Sequence, residues 1–194
     1  AAVEPDIQTG AVDAVLDRAI SLRDQAQKAA DAGEDADALR LARAASATAN
    51  AAGQLIVAQL TYPGLPSQKA RASRVLATAY DVVAAAGDET ESTGEDDIPF
   101  LVAAAQSIYG RAYDRYSTDA YVQAAAYGKA ALMLGRVAQL LAGTGDTAAS
   151  RGGDGPATRG DGGVGGAMTG RPDEDRESSP EADEEPVTVP APEF

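Results

Sequence analysis

Residues 44–68 form the longest stretch of the chain without a charged side chain, and this stretch most limits the possible folds. A membrane-spanning helix needs about 20 predominantly apolar residues. Here Ser, Thr, Asn and Gln interrupt the 25 residues, only residues 55–60 are strongly apolar, and Pro63 and Pro66 close the stretch. The pattern therefore predicts a buried central helix and no transmembrane segment.

The residues before this stretch predict a helical hairpin. Gly33 is expected to end a helix over residues 8–32, and Asp35 to start a second helix that runs to about Leu60. Because the connection is short, the two helices must pack antiparallel. The apolar residues of the first helix recur every three or four positions, which is helical spacing: Val12, Val15, Leu16, Ala19, Leu22, Ala26 and Ala29.

Three more helices follow in the pattern of apolar residues. They are expected at about residues 67–86, from Pro99 to just before Ser117, and at 119–142. The predicted fold is an all-α, up-and-down helical bundle of four to five helices over residues 8–142, made of two helical hairpins and a linking helix. Residues 1–7 are assigned to an N-terminal extension.

The composition changes after Ala142. Glycine dominates residues 143–170, residues 171–194 are rich in proline and acid, and neither part has a periodic apolar face. Such a segment cannot offset its ordering entropy by burial, so a disordered C-terminal tail is predicted. Residues 143–194 hold 12 acidic and 4 basic side chains of a chain with net charge −14. This sign of charge argues against nucleic acid as a partner.

The chain contains no His and no Cys, which removes many kinds of catalytic and metal site. Neither a thiolate nucleophile nor an imidazole base is available, and haem ligation by His is excluded. Most acidic residues lie near helix starts or in the loop before Pro99, where capping and solvation explain them. The sequence therefore predicts a protein that is not an enzyme and has no cofactor.

Tyrosines supply the main candidate for a binding surface. Tyr109, Tyr113 and Tyr116 are spaced to share one side of the fourth helix, here named the tyrosine face, and Arg111 and Arg115 flank it. A tyrosine offers a rigid apolar body with a polar tip, which suits a ligand or partner surface. The alternative is that these side chains pack between the hairpins with their hydroxyls at the surface.

The acidic loop supplies a weaker candidate, a calcium site. Asp88, Glu91, Glu95 and Asp97 offer the carboxylate oxygens that Ca²⁺ prefers. The EF-hand pattern fails, however, because Thr93 stands at the position of the turn glycine. The alternative is a solvated linker.

The small side chains of the second and fifth helices predict a close contact between them. Residues 42–54 contain no large apolar side chain and residues 124–131 contain few, so these helices are expected to cross there, with Ala49 inside the contact. A shift of 82 residues also aligns the two hairpins and suggests an internal duplication. Chance is the alternative, because nearly all the matched residues are alanine.

These features predict a non-catalytic structural or protein-interaction helical bundle, with a protein partner or self-association. One alternative is a bundle that binds a small ligand or a cation through the tyrosine face. Another is an amphipathic coat protein on a lipid or polymer surface. The small residues at the start of the sequence favour export after signal-peptide removal, with a soluble cytoplasmic location as the alternative.

Overall fold

The computed structural model describes residues 6–60, 65–89, 97–143 and 187–194, and within these ranges the folded part is entirely helical. The prediction of an all-α bundle is confirmed. Its elements are α1 (Asp6–Asp31), α2 (Asp35–Gln59), a short 3₁₀ turn (Pro66–Gln68), α3 (Lys69–Glu89), α4 (Asp97–Ser117) and α5 (Tyr121–Leu141).

Helices α2 and α5 lie side by side at the centre of the bundle. They are antiparallel, because Arg40 near the start of α2 donates to the carbonyl oxygen of Leu141 at 3.3 Å. At the opposite end, Gln123 donates to the carbonyl oxygen of Leu60 at 3.2 Å. Helix α1 packs on α2, α4 packs on α5, and α3 packs on α4 and α5. One continuous core therefore joins both hairpins.

The predicted contact between α2 and α5 exists, but the place given to Ala49 is wrong. Ala44, Ala45, Ala51 and Ala52 are buried, whereas Ala49 is exposed to solvent. Alanines occur on every side of α2, so the small size of a side chain does not show which side of the helix faces inward. The buried positions follow the helical repeat, which leaves Ala49 on the outer side.

Both hairpins turn through the same backbone motif. Gly33 and Asp119 have positive φ angles, +77° and +60°, in the left-handed region. In each turn the residue that follows donates its backbone N–H to the carbonyl five residues earlier, at 2.9 Å. This is the Schellman arrangement, which satisfies the last carbonyls of a helix. Glycine adopts the left-handed conformation freely, and Asp tolerates it better than most residues.

The matching turns show that the hairpins correspond at a shift of 86 residues, not 82. The two shifts differ by about one helical turn, so a shift of 82 places the same helix faces opposite each other and still aligns many alanines. At a shift of 86, the buried Ala29 falls on the half-buried Arg115, and Ala58 falls on a position outside the described residues. The other eleven buried residues of the first hairpin fall on buried residues of the second. The sets are Val12, Val15, Ala19, Leu22, Ala26, Ala44, Ala45, Thr48, Ala51, Ala52 and Leu55, and Ile98, Leu101, Ala105, Ile108, Ala112, Ala130, Ala131, Leu134, Val137, Ala138 and Leu141.

Helix α3 covers the second hairpin and approaches α5 closely. A Cβ atom on Gly128 would lie 3.0 Å from Val75, and one on Gly135 would lie 3.0 Å from Val82. Since residue numbers rise together along both contacts, α3 runs parallel to α5. The two glycines, seven residues apart, allow the backbones to approach where larger side chains would collide.

Most of the predicted tail, residues 144–186, lies outside the described residues, as do residues 1–5. The last eight residues of the sequence are described and lie on the bundle, which differs from the prediction for the tail. None of the helices within the described ranges is both long and apolar enough to cross a membrane.

Candidate functional site

Residues 187–194, here named the tail segment, lie without helical structure against α3 and α4. Val189 packs against the hydrophobic core. The hydroxyl of Tyr109 donates to the carbonyl oxygen of Pro190 at 2.7 Å. A carbonyl oxygen of the tail segment thus reaches a tyrosine that is itself fully buried. The groove between α3 and α4 that receives the segment is here named the tyrosine groove.

Three aromatic rings close the other end of this contact. Phe194 stacks on Tyr80 of α3, with ring centroids 5.3 Å apart. It meets Tyr109 of α4 edge-on at 5.5 Å. Tyr80 and Tyr109 also contact each other at 5.7 Å, so each ring touches the other two. Aromatic pairs at these distances stabilise a contact beyond the area they bury, by about 0.5–1.5 kcal/mol each.

The tail segment has a defined direction on the bundle. Val189 lies near Lys69 at the start of α3, and Phe194 lies beside Tyr80, which comes later in the same helix. The segment therefore runs parallel to α3 and antiparallel to α4. Beside Val189 is a cavity of about 260 Å³, and its walls include both remaining members of the tyrosine face: Lys69, Tyr113, Tyr116, Ser117, Asp119, Tyr121 and Val189.

Burial affects the chemistry of Tyr109. Loss of solvent around its hydroxyl raises the pKa of Tyr109 far above the ordinary value, and the nearby Tyr80 raises it further. A tyrosine hydroxyl is already protonated at physiological pH, and the raised pKa keeps that of Tyr109 protonated in more alkaline solution as well. The Tyr109 hydroxyl is a fixed donor for a carbonyl oxygen, which is the role it has toward Pro190.

A second tyrosine is tied to the turn between α4 and α5. The hydroxyl of Tyr121 donates to the carboxylate of Asp119, and this hydrogen bond raises the pKa of Tyr121 to about 12. The Tyr121 ring also meets Tyr116 edge-on at 5.5 Å. The contact joins the tyrosine face to the residue that forms the turn.

The structure brings the tyrosine face together as one surface, but Tyr109 differs from its two neighbours. Tyr109 is fully buried, whereas Tyr113 and Tyr116 are partly exposed at the cavity beside Val189. The predicted flanking residues Arg111 and Arg115 are half-buried and do not line this cavity. Its cation is Lys69, which the sequence did not indicate because it belongs to another helix.

The calcium candidates are only partly described. Glu91 and Glu95 lie outside the described residues. Asp97 forms an ion pair with Arg18 of α1 and accepts a hydrogen bond from Gln25 at 3.2 Å, so its carboxylate already has partners. Over the described ranges, no three or more acidic residues gather as they would around a metal ion.

A larger cavity of about 580 Å³ opens between the two hairpins at the end that carries Asp97. Its walls include two cationic and three anionic side chains, and the lining residues are Gln25, Lys28, Ala29, Glu34, Asp37, Arg40, Leu41, Asp97 and Leu141. Arg40 pairs with Asp37 at 3.0 Å. Because Asp37 and Asp97 each already pair with an arginine, we assign no ligand to this cavity.

Sequence reasoning missed the tail segment because its surroundings are acidic and rich in proline. Val187, Val189 and Phe194 are apolar residues after a run of acids, but they have no helical or strand period. The pattern alone therefore gave no reason to expect packing. Its partner surface was predictable in part, since the tyrosine face supplies the hydroxyl that the segment uses.

The comparisons with known proteins add no relative. No protein-family model matches the chain, and no curated protein or solved structure shows significant similarity to it. The interpretation of the tyrosine groove therefore depends on its own geometry.

Proposed function

We propose that this protein is a non-catalytic interaction module whose binding surface is the tyrosine groove. The observation that carries the proposal is the tail segment seated there, held by Tyr109 and Tyr80. A donor hydroxyl and aromatic rings beside a proline-containing chain are the means by which aromatic-lined grooves bind extended peptides. This contact supports the tyrosine groove as the surface for the expected protein partner.

A small-ligand site is the second candidate, because a cavity lies beside Val189. Its volume of about 260 Å³ is below the roughly 300–1,000 Å³ of most ligand pockets. Its walls carry Lys69, Asp119 and tyrosine hydroxyls, and few apolar side chains. These properties suit a polar extension of the tyrosine groove better than a separate ligand pocket.

The proposal is tested by emptying the groove and offering the segment back as a peptide. Val189→Asp and Phe194→Ala in the full chain remove both apolar anchors, and circular dichroism verifies that the helices persist. A fluorescent peptide, Val-Thr-Val-Pro-Ala-Pro-Glu-Phe, blocked at both ends, is then titrated while its anisotropy is followed. We expect saturable binding.

Tyr80→Ala and Phe100→Ala, each added to the emptied variant, form a matched pair. Both remove an aromatic ring, but Phe100 lies at the start of α4 beside Arg18, away from the groove. We expect Tyr80→Ala to weaken peptide binding and Phe100→Ala to leave it unchanged. Failure of the emptied variant to bind the peptide at any concentration tested would contradict the proposed function.

A further inference from the structure

The tail segment divides into three anchoring residues and five exposed ones. Val189 and Pro190 are half-buried, and Phe194 lies against two tyrosine rings, although 44% of it is exposed. The other positions are exposed to solvent: Val187, Thr188, Ala191, Pro192 and Glu193. The groove therefore contacts a β-branched residue, the proline after it, and an aromatic residue four positions beyond that proline.

Each anchor makes a contact that depends on its chemistry. Val189 places a compact apolar side chain against the core. Pro190 presents its carbonyl oxygen to Tyr109 and has no backbone N–H that would need a partner. Phe194 supplies the ring that completes the aromatic cluster. Pro192 contacts little but restricts the backbone, which lowers the entropy lost on binding.

The contact is compact enough to be exchanged for an equivalent segment. Within the described ranges, one hydrogen bond, two ring contacts and the packing of Val189 on the core hold the segment against the helices. In a short, half-exposed peptide, a few anchoring residues of this kind supply most of the binding free energy. A peptide from another protein that carried the same anchors would make the same contacts.

The covalent connection between α5 and the tail segment keeps the segment at a high local concentration near the tyrosine groove. Val189 lies at the start of α5, whereas Gly143 follows its end, roughly 30 Å away for a 21-residue helix. The 43 residues between Gly143 and Val187 reach at most about 150 Å when fully extended. One segment confined to a sphere of that radius has an average concentration of about 0.1 mM.

Resting on the proposed function, we propose that the tyrosine groove recognises partner proteins through an extended segment of the form Val-Pro-x-x-x-Phe, and that residues 187–194 compete with that partner from within the same chain. The partner is thus a peptide segment with a valine–proline pair and a following aromatic residue. The tail segment sets how tightly such a partner must bind to displace it.

The test compares the full chain with the emptied variant, Val189→Asp/Phe194→Ala, using the same blocked fluorescent peptide. If the tail segment competes at about 0.1 mM, the peptide binds the emptied variant more tightly than the unaltered chain, by about tenfold for a dissociation constant of about 10 µM and by more for a tighter peptide. The matched control is Val187→Asp, which places the same charge at an exposed position of the segment. It should bind the peptide as weakly as the unaltered chain does.

Peptide variants test the recognised form. Replacing the valine before the first proline, or the final phenylalanine, with alanine should abolish most binding to the emptied variant. Replacing the alanine between the prolines with serine should change little. Tyr109→Phe in the emptied variant should weaken binding about two- to tenfold, the effect of losing one hydrogen bond.

The outcomes separate the two proposals. Equal affinity for the emptied variant and the unaltered chain would overturn competition by the tail segment and leave the proposed function standing. Binding that ignores the valine and phenylalanine positions would overturn the recognised form. Absence of binding to the emptied variant would overturn the proposed function itself.

Discussion

The two hairpins bury corresponding positions along their shared inner face but differ on their outer face. In the second hairpin the outer face carries Tyr109 and Gly135 and is covered by α3. In the first hairpin the corresponding residues are Arg23 and Ala49, and both are exposed. The corresponding buried positions therefore form the core, and the differences between the two outer faces create the tyrosine groove.

The difference between the outer faces has a simple physical origin. Gly128 and Gly135 let α3 approach α5 closely, and Tyr109 fills the space between α3 and α4. In the first hairpin, residues with a Cβ atom stand at the positions of the two glycines, and an arginine stands at the position of Tyr109. Such residues are suited to a solvent-exposed surface. A groove thus requires a third helix as well as aromatic residues.

Removing the ring of Tyr109 should have the largest effect. Tyr109→Ala should lower the free energy of unfolding by about 3–5 kcal/mol, as expected for a fully buried aromatic residue. Arg23→Ala, at the corresponding position, should change it by no more than about 0.5 kcal/mol. Urea unfolding followed by circular dichroism measures both. Similar losses for the two variants would contradict the distinction between the outer faces.

A leucine placed at a second pair of corresponding positions should have the next largest effect. Gly135→Leu should cost about 1–3 kcal/mol, because its side chain would meet Val82. Ala49→Leu, on the exposed side of α2, should be nearly neutral, within about 0.5 kcal/mol. Thermal melts provide the measurement. A loss at Ala49 as large as at Gly135 would show that both outer faces are packed.

A glycine outside these contacts separates helix propensity from packing. Nothing lies within 4 Å of a Cβ atom added to Gly53 in α2. Gly53→Ala should therefore raise stability by about 0.5–1 kcal/mol, since alanine is the better helix former. Destabilisation by Gly53→Ala would mean that this part of α2 is covered.

The smallest expected effect is a difference in alkaline titration. Tyr121 has a pKa of about 12 because its hydroxyl donates to Asp119, whereas the corresponding residue of the first hairpin is Asp35. In the unfolded chain Tyr121 would ionise near pH 10. Its contribution to stability is therefore complete below about pH 10 and is lost as the pH rises to about 12.

Absorbance at 295 nm follows this titration. Asp119→Asn should lower the pKa of Tyr121, and Tyr121→Phe should remove one late-ionising group from the curve. A curve that Asp119→Asn leaves unchanged would contradict the hydrogen bond as the cause.

Residue patterns predicted the helices well because each has its own period and its own ends. Gly33 correctly predicted the end of the first helix and the first turn. Asp119 did not predict the second turn, because in a sequence an aspartate before a helix is typical of a helix cap, whereas here it adopts the left-handed conformation. The tyrosine face was found because its members share one helix. Lys69, Tyr80 and the tail segment were missed because only the folded chain brings distant residues together.

Helix α3 packs on the second hairpin, and this arrangement affects which part of the molecule unfolds locally first. Helices α3, α4 and α5 contact one another in a unit that is continuous in sequence, whereas α1 packs mainly on α2. Backbone amides protected by fewer neighbouring elements exchange through smaller openings. Hydrogen exchange should therefore release α1 first, while the three-helix unit that carries the tyrosine groove remains closed.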